Sequence, residues 1–180
     1  MKTVRITSPL SPEACRSLEA GDRVLLSGTV YTARDAAHAR FAELIKAGRP
    51  LPVELEGQVI YYAGPTPAMP GRVIGSAGPT TAGRMDVWTP ALLERGLRGM
   101  IGKGLRSEEV REACMKYGAV YLGATGGAAA LLARCVTECS VVCYEDLGCE
   151  AVRRLAVRDM PLAVLIDVFG NDFYKMHQVK

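Results

Sequence analysis

The chain has 180 residues and a mass of 19.3 kDa, enough for one domain with a hydrophobic core across residues 1–180. Hydrophobic residues make up 49% and charged residues 23%, the composition of a soluble globular protein. The net charge of +3 is small, and Lys and Arg are dispersed among Asp and Glu, so we expect no nucleic-acid partner.

The beginning of the chain, MKTVRITSPL, lacks the apolar core of a signal peptide. No stretch approaches about eighteen uncharged apolar residues, so we expect no membrane span and a cytoplasmic location. Cysteines stay reduced in that compartment. The cysteines are therefore expected to be thiols: Cys15, Cys114, Cys135, Cys139, Cys143 and Cys149.

The first half of the chain alternates strand and helix signals. Apolar runs predict strands at residues 4–7, 23–32 and 59–62. Ser11, followed by a proline, predicts the start of a short helix. A longer helix is expected from the N-cap Asp35 to a stop at Gly48, with apolar residues on one face. Arg34 then lies between a strand end and a helix start, where side chains often face a ligand.

The second half follows a stretch rich in Gly, Pro, Ser and Thr at residues 64–83. A loop of that length is usually functional or flexible. Helices are expected after Thr89 and Ser107 and over 126–134. Strands are predicted at 100–101 and 120–122, and the apolar runs 141–144 and 162–168 are typical of central strands. The alternation predicts a single α/β domain.

The segment IGSAGPTTAGRMD at residues 74–86 combines glycines, the adjacent hydroxyls of Thr80 and Thr81, and Arg84. Glycines let the backbone approach a ligand, and hydroxyls beside an arginine can hold a carboxylate. An ordinary surface loop explains the same residues equally well. The segment lacks the Gly-Lys-Ser/Thr ending of a phosphate-binding loop.

Three further signals have competing interpretations. The run GATGG at residues 123–127 either binds an anion through its amides or lets a helix pack closely, and we favour packing. Cys135, Cys139 and Cys143 are spaced by four, but they form no CxxC pair, so core thiols are preferred to a metal site. His38 either reaches a pocket near Arg34 or is a solvated helix residue.

Several segments together resemble one family. They are YTARDAAHARF (31–41), IYYAGPTPA (60–68), GSAGPTTAGRMD (75–86), MIGKG (100–104), YLGATGGAAALLA (121–133), YEDLGCEAV (144–152) and GND (170–172). They look like the beta subunit, or C-terminal domain, of class I iron–sulfur fumarate hydratases and L(+)-tartrate dehydratases. The resemblance implies a swivelling β/β/α domain with a mixed sheet and flanking helices. It also implies a hydro-lyase that reversibly hydrates fumarate to L-malate, with tartrate dehydratase and methylfumarate hydratase as alternatives.

The resemblance assigns roles to individual residues. Arg34 and Arg84 would each bind a carboxylate of a dicarboxylate substrate, and Lys103 would add positive charge. Thr80, or alternatively Thr81, would transfer a proton at the reacting carbon. Because a threonine hydroxyl is a poor base, it would need an activating group, expected from another subunit. These side chains are expected to converge on one exposed surface.

The resemblance also implies a [4Fe–4S] cluster, bound by three cysteines of a partner alpha subunit and not by this chain. The active protein would then be a hetero-oligomer, and this chain alone would be inactive. Two functions of other classes remain open from the sequence. One is a stand-alone dicarboxylate-binding module, and the other is a metal protein that uses the cysteines of residues 135–149.

Overall fold

A computed structural model describes residues 1–124 and 127–177 of the chain. Its strands are β1 (Thr3–Ser8), β2 (Arg23–Thr32), β3 (Val59–Tyr61), β4 (Gly99–Gly102), β5 (Val120–Gly123), β6 (Val136–Cys143) and β7 (Val152–Ile166). Its α-helices are α1 (Pro12–Arg16), α2 (Asp35–Lys46), α3 (Thr89–Glu94), α4 (Glu108–Tyr117), α5 (Ala129–Arg134) and α6 (Phe173–Met176). Short 3₁₀ segments occupy Ala82–Met85 and Glu145–Glu150.

The strands form one mixed sheet, in the order β1-β2-β3-β4-β5-β7-β6 over the described residues. β2 pairs in parallel with β1 and β3 along one edge, and its other edge pairs antiparallel with β7. β7 also pairs antiparallel with β5. The ring β2-β3-β4-β5-β7 is therefore closed into a barrel, which confirms the expected mixed sheet with flanking helices.

Side chains that alternate along the strands divide the core into two layers. In β3, Val59 and Tyr61 belong to one layer and Ile60 to the other, as the two-residue repeat of a strand requires. The layer that contains Ile60 is covered by α2, α3 and α4, which contribute Phe41 and Leu92 among others. Among the described residues, no helix is long and apolar enough to cross a membrane.

Two predicted helix starts are capped as their sequence indicates, and a third is not. Ser11 Oγ accepts a hydrogen bond from the amide of Ala14, and Ser107 Oγ accepts one from Val110, as expected of N-caps. The predicted N-cap at Asp35 is wrong by one residue, because Arg34 occupies that position without a side-chain cap. The Asp35 carboxylate instead accepts hydrogen bonds from a distant arginine.

One predicted central strand is wrong. The apolar run 141–144 falls largely within β6, which pairs only with β7 among the described strands and is mostly exposed. An apolar run therefore marked a sheet edge here. The other predicted strand, 162–168, overlaps only the last third of β7, which ends at Ile166. The earlier part of β7 was not predicted, because polar residues such as Arg153 alternate there with buried ones.

The direction of the strands determines where ligands are expected. β2, β3, β4 and β5 are parallel, so their carboxyl ends lie along one edge of the sheet. We call this the carboxyl edge. Arg34 follows β2 and Lys103 follows β4, so both lie there. In α/β folds, both open sheets and barrels, ligands usually bind at the carboxyl ends of the parallel strands.

Candidate functional site

The threonine segment extends the sheet at the carboxyl edge. The amide and Oγ1 of Thr80 both donate hydrogen bonds to the carbonyl of Tyr62, each at 2.7 Å. The amide of Lys103 donates to the Thr80 carbonyl at 3.2 Å, and Thr81 forms a parallel bridge with Lys103. Backbone pairing therefore brings Thr80, Thr81 and Lys103 together, just beyond β3 and β4.

The two arginines are joined by carboxylates. Arg84, in the 3₁₀ segment after the threonines, donates from Nε and Nη2 to the two oxygens of Asp35, at 2.8 and 2.6 Å. Arg34 Nη2 lies 3.7 Å from Asp35 and 3.3 Å from Glu150. The Glu150 carboxylate also accepts the Ala36 amide at 3.1 Å. A continuous chain of alternating charges thus connects β2, the 3₁₀ segment and the segment before β7.

Exposure distinguishes the three cations. The Arg84 side chain is 51% exposed and that of Arg34 only 19%. Arg34 Nε is buried without a hydrogen-bond partner among the described residues. Lys103 is exposed, and it forms no ion pair within residues 1–124 and 127–177. Lys103 is therefore the most available of the three cations, whereas Arg84 is accessible but paired with Asp35.

Asp35 remains a competing anion within this group. Partial burial raises the pKa of its carboxyl, but hydrogen bonds from Arg84 and the backbone outweigh burial and lower it below the usual value. Asp35 is therefore ionised at neutral pH and occupies the guanidinium fork of Arg84. A ligand carboxylate has to share this fork or displace Asp35.

His38 lies behind Arg34 rather than in solvent. Its side chain is fully buried, and Nδ1 is 2.8 Å from the Arg34 carbonyl. Burial lowers the pKa of His38 to about 4, so the ring is neutral at pH 7. Its centroid lies 5.5 Å from that of Tyr62. The interpretation of His38 as a solvated helix residue is wrong, because the aromatic layer under the site encloses it.

The hydroxyl of Thr80 has a defined direction. Its only acceptor among the described residues is the Tyr62 carbonyl, and no described carboxylate or imidazole contacts Oγ1. A backbone carbonyl accepts a hydrogen bond but does not remove a proton. Any group that activates Thr80 as a base must therefore lie outside the part of the chain that the structure describes.

The cysteines do not gather into a ligand set. Cys15 and Cys114 are buried in different core layers, and burial raises their pKa values to about 11 and about 12. Cys135, Cys139 and Cys143 are half-buried at or along the edge strand β6 and pack against the core layers, so their description as core thiols is only partly confirmed. Within the described ranges, no three His, Cys, Asp or Glu residues are placed to bind a metal. These donors do not fit a cluster that needs three converging thiolates.

The GATGG run is only partly described, because residues 125 and 126 lie outside the described ranges. Gly123 has a packing role, since a Cβ there would lie 2.5 Å from the side chain of Leu165. The absence of a side chain at Gly123 leaves room for the side chain of Leu165 in β7. This contact is with a strand and not with a helix, so the expected close packing of a helix stays a prediction.

The sequence analysis missed several charged residues at the site. The ion-pair role of Asp35 was hidden by its position at a helix start. Glu150 accepts a hydrogen bond from the amide of Ala36, which is 114 residues away in the sequence. The buried pair formed by Arg106 and Asp86 was also missed. Proximity in sequence to Arg34, Arg84 and Lys103 was the only signal for Asp35, Asp86 and Arg106, and Glu150 lacked even that signal.

Comparison with known proteins shows which family this chain is similar to. Residues 1–177 match the family described as Fumarase C-terminus. The anaerobic class I fumarate hydratase of Escherichia coli (strain K12) is 45% identical over 155 residues, which are 85% of this chain and 28% of that protein. The mitochondrial fumarate hydratase 1 of Leishmania major is 44% identical, with the same shares covered.

A third relative is similar in length to this chain. The putative L(+)-tartrate dehydratase subunit beta of Methanocaldococcus jannaschii is 39% identical over 172 residues, which are 92% of this chain and 88% of that protein. By contrast, this chain spans less than a third of the length of the two fumarate hydratases. The match over nearly the whole chain confirms the resemblance seen in the sequence: the chain belongs to the Fumarase C-terminus family.

Proposed function

We propose that this chain is the beta subunit of an iron–sulfur hydro-lyase that reversibly hydrates fumarate to L-malate. The observation that carries the proposal is the grouping of cations beside a pair of threonines at the carboxyl edge. Thr80 and Thr81 pair with the Lys103 strand, and Arg84 is linked to Arg34 through Asp35. The names of the relatives supply the reaction class.

The cations suit a dicarboxylate substrate. A guanidinium presents parallel N–H groups that match a carboxylate, so Arg34 and Arg84 each bind one end of the substrate. The Lys103 ammonium adds a positive charge that does not require a planar arrangement of the bound carboxylate. When a proton leaves the carbon next to a carboxylate, negative charge accumulates on that carboxylate. Fixed positive groups stabilise this charge best where water is excluded.

Thr80 takes part in the proton transfer, with Thr81 as the alternative. Its hydroxyl hydrogen points at the Tyr62 carbonyl, which leaves the oxygen lone pairs available to the substrate. The hydroxyl therefore holds a proton at a defined place but needs a stronger base beside it. We assign that base to the partner subunit. His38, buried behind Arg34, supports the arginine backbone.

The proposed partner is an alpha subunit that carries a [4Fe–4S] cluster. One observation supports a separate partner: the archaeal relative, 88% of whose length is matched by this chain, is named a beta subunit. The cluster supplies a Lewis acid for the substrate hydroxyl when it is bound. The assembly is then a hetero-oligomer with the substrate between its subunits. The cytoplasmic location expected from the sequence stays a prediction.

A tartrate dehydratase beta subunit is the second candidate. It is favoured by one observation, the 39% identity to a relative of that name across 88% of its length. Tartrate carries one more hydroxyl than malate, so its site needs an additional polar contact. Methylfumarate hydratase is a third variant of the same chemistry.

The test is co-expression with the cluster-bearing partner under anaerobic conditions, followed by assays of fumarate, L(+)-tartrate and methylfumarate. We expect the reconstituted complex to hydrate fumarate with the highest kcat/KM and the isolated chain to be inactive. A higher kcat/KM for tartrate would select the second candidate. A reconstituted complex that is inactive with all three substrates would refute the hydro-lyase proposal. Fumarate binding to the isolated chain without turnover in the complex would favour a stand-alone binding module.

A further inference from the structure

Arg106 is a charged residue with no exposed side-chain surface. It lies in the segment between β4 and α4, and its side-chain exposure is 0%. Nε donates to Asp86 Oδ1 at 2.6 Å, and Nη2 donates to Thr89 Oγ1 at 2.8 Å. Burying a guanidinium is costly, so its retention in a core calls for an explanation beyond stability.

The guanidinium also lies against two aromatic rings. Its central carbon is 4.9 Å from the ring centroid of Tyr121 and 5.4 Å from that of Tyr62. At these distances a cation is attracted to the face of the ring. Arg106 therefore contacts β5 and the residue that follows β3, as well as the segment that carries Asp86.

Each of these neighbours is connected to a residue of the candidate site. Asp86 directly follows the 3₁₀ segment that contains Arg84, and its second oxygen accepts the Ser107 amide at 2.5 Å. The carbonyl of Tyr62 holds both the amide and the hydroxyl of Thr80.

The third connection leads to the lysine. The Tyr121 hydroxyl donates at 3.0 Å to the carbonyl of Gly104, the residue after Lys103. The buried Arg106 side chain thus contacts three residues that are linked to the candidate site. Asp86 lies two residues after Arg84, Tyr62 accepts hydrogen bonds from Thr80, and Tyr121 bonds to the residue after Lys103.

We propose that Arg106 is a positioning residue that holds the segments of Thr80, Arg84 and Lys103 in a fixed mutual arrangement. Its effect on catalysis rests on the function proposed above, but the order that it imposes on the three segments does not. An apolar side chain fills the same volume without joining Asp86 and Thr89. A lysine retains the charge but offers no planar fork, so it cannot reproduce both contacts.

The test compares two arginines at opposite ends of β4. Arg106→Lys and Arg106→Met are made in the two-subunit complex, and Arg98→Lys and Arg98→Met serve as matched controls. Arg98 directly precedes β4, its side chain is 19% exposed, and it donates to the Tyr117 carbonyl. Arg98 therefore flanks the same strand and is largely buried, but it lies away from the carboxyl edge.

Two measurements are made on every variant complex. Because misplacing catalytic groups by about 1 Å costs roughly 100-fold in rate, we expect kcat to fall by about that factor in Arg106→Lys, with a smaller change in KM. Amide hydrogen exchange is expected to rise selectively in residues 80–86 and 103–105. The Arg98 variants are expected to keep both kcat and the exchange rates of these segments.

The outcomes separate this inference from the proposed function. An inactive wild-type complex would refute the reaction, yet the exchange measurement, which needs no substrate, would still decide the role of Arg106. Unchanged exchange in residues 80–86 and 103–105 of Arg106→Lys would overturn the inference. It would also be overturned if the Arg106 and Arg98 variants lost kcat equally. If Arg106→Met fails to fold, Arg106→Lys alone decides, since it keeps the charge beside Asp86.

Discussion

Two arginine–carboxylate pairs of similar geometry differ in their surroundings. Arg84 and Asp35 approach to 2.6 Å with side chains that are 51% and 28% exposed. Arg106 and Asp86 also approach to 2.6 Å, but with exposures of 0% and 15%. The first pair lies at the surface of the carboxyl edge, and the second lies beneath it between tyrosine rings.

Residues 84–86 therefore combine two kinds of contact. A ligand can displace Asp35 from Arg84, whereas the pair of Asp86 with Arg106 stays fixed. An exposed ion pair contributes about 0–1 kcal/mol, so a ligand carboxylate can replace Asp35 at little cost. Removing one partner of a buried pair costs about 3–5 kcal/mol, because the other charge stays buried without compensation. Arg84 is therefore suited to binding and Arg106 to holding the segment in place.

The largest expected effect breaks the buried pair. Asp86→Ala leaves the Arg106 guanidinium buried without its carboxylate, so the free energy of unfolding should fall by about 3–5 kcal/mol. Asp35→Ala is the matched control and should change it by less than about 1 kcal/mol. Denaturant titration of both variants measures the difference. Equal losses would show that the two pairs do not differ as their burial indicates.

Acid titration probes the buried layer through His38. The folded-state pKa of about 4 lies below the unfolded value of 6.5, so the unfolded chain binds more protons between these pH values. The contribution of neutral His38 to the free energy of unfolding should therefore be fully present above pH 6.5. The free energy of unfolding should decrease by about 3 kcal/mol as the pH falls to 4.

The other histidine provides the control for this titration. His38→Gln should flatten the dependence of unfolding free energy on pH between 4 and 6.5, whereas the exposed His177→Gln should leave it unchanged. Denaturant titrations across this pH range give the slopes. A steep slope that persists in His38→Gln would assign the acid sensitivity to other groups.

The exposed pair should affect activity more than stability. Arg84→Lys loses the planar fork, and we expect kcat/KM to fall about 100-fold, equivalent to about 2.7 kcal/mol. Its unfolding free energy should change by less than about 1 kcal/mol. Arg23→Lys, an exposed arginine at the start of β2, is the control in the assay of the complex. Near-normal activity of Arg84→Lys would remove Arg84 from the site.

The smallest expected effect concerns the competing anion. Asp35→Asn removes the charge that occupies Arg84, so KM for the dicarboxylate should fall by about threefold, within the range of an exposed ion pair. Asp146→Asn, which breaks the exposed pair with Arg40, should leave KM unchanged. A higher KM in Asp35→Asn would mean that Asp35 orients Arg84 for the ligand instead of competing with it.

Much of the fold and part of the site were predictable. The bounds of β2 follow from its apolar pattern, and the residues chosen for the site do lie together at the carboxyl edge, with Thr80 paired to Lys103. Whether they bind substrate stays a prediction. The edge position of residues 141–144 was not predictable, because an apolar run looks the same in a central strand and in an edge strand.

The sequence by itself determined the features that depend on near neighbours. The caps at Ser11 and Ser107 and the alternation of Val59 to Tyr61 between core layers arise from backbone hydrogen bonds and from the two-residue repeat of a strand.

Only the tertiary structure decided which charges meet. Arg84 and its partner Asp35 are 49 residues apart, and the neutral state of His38 depends on aromatic residues from other segments. Burial and ion pairing arise from the packing of distant segments, and the desolvation that separates an exchangeable arginine from a fixed one exists only after the chain has folded.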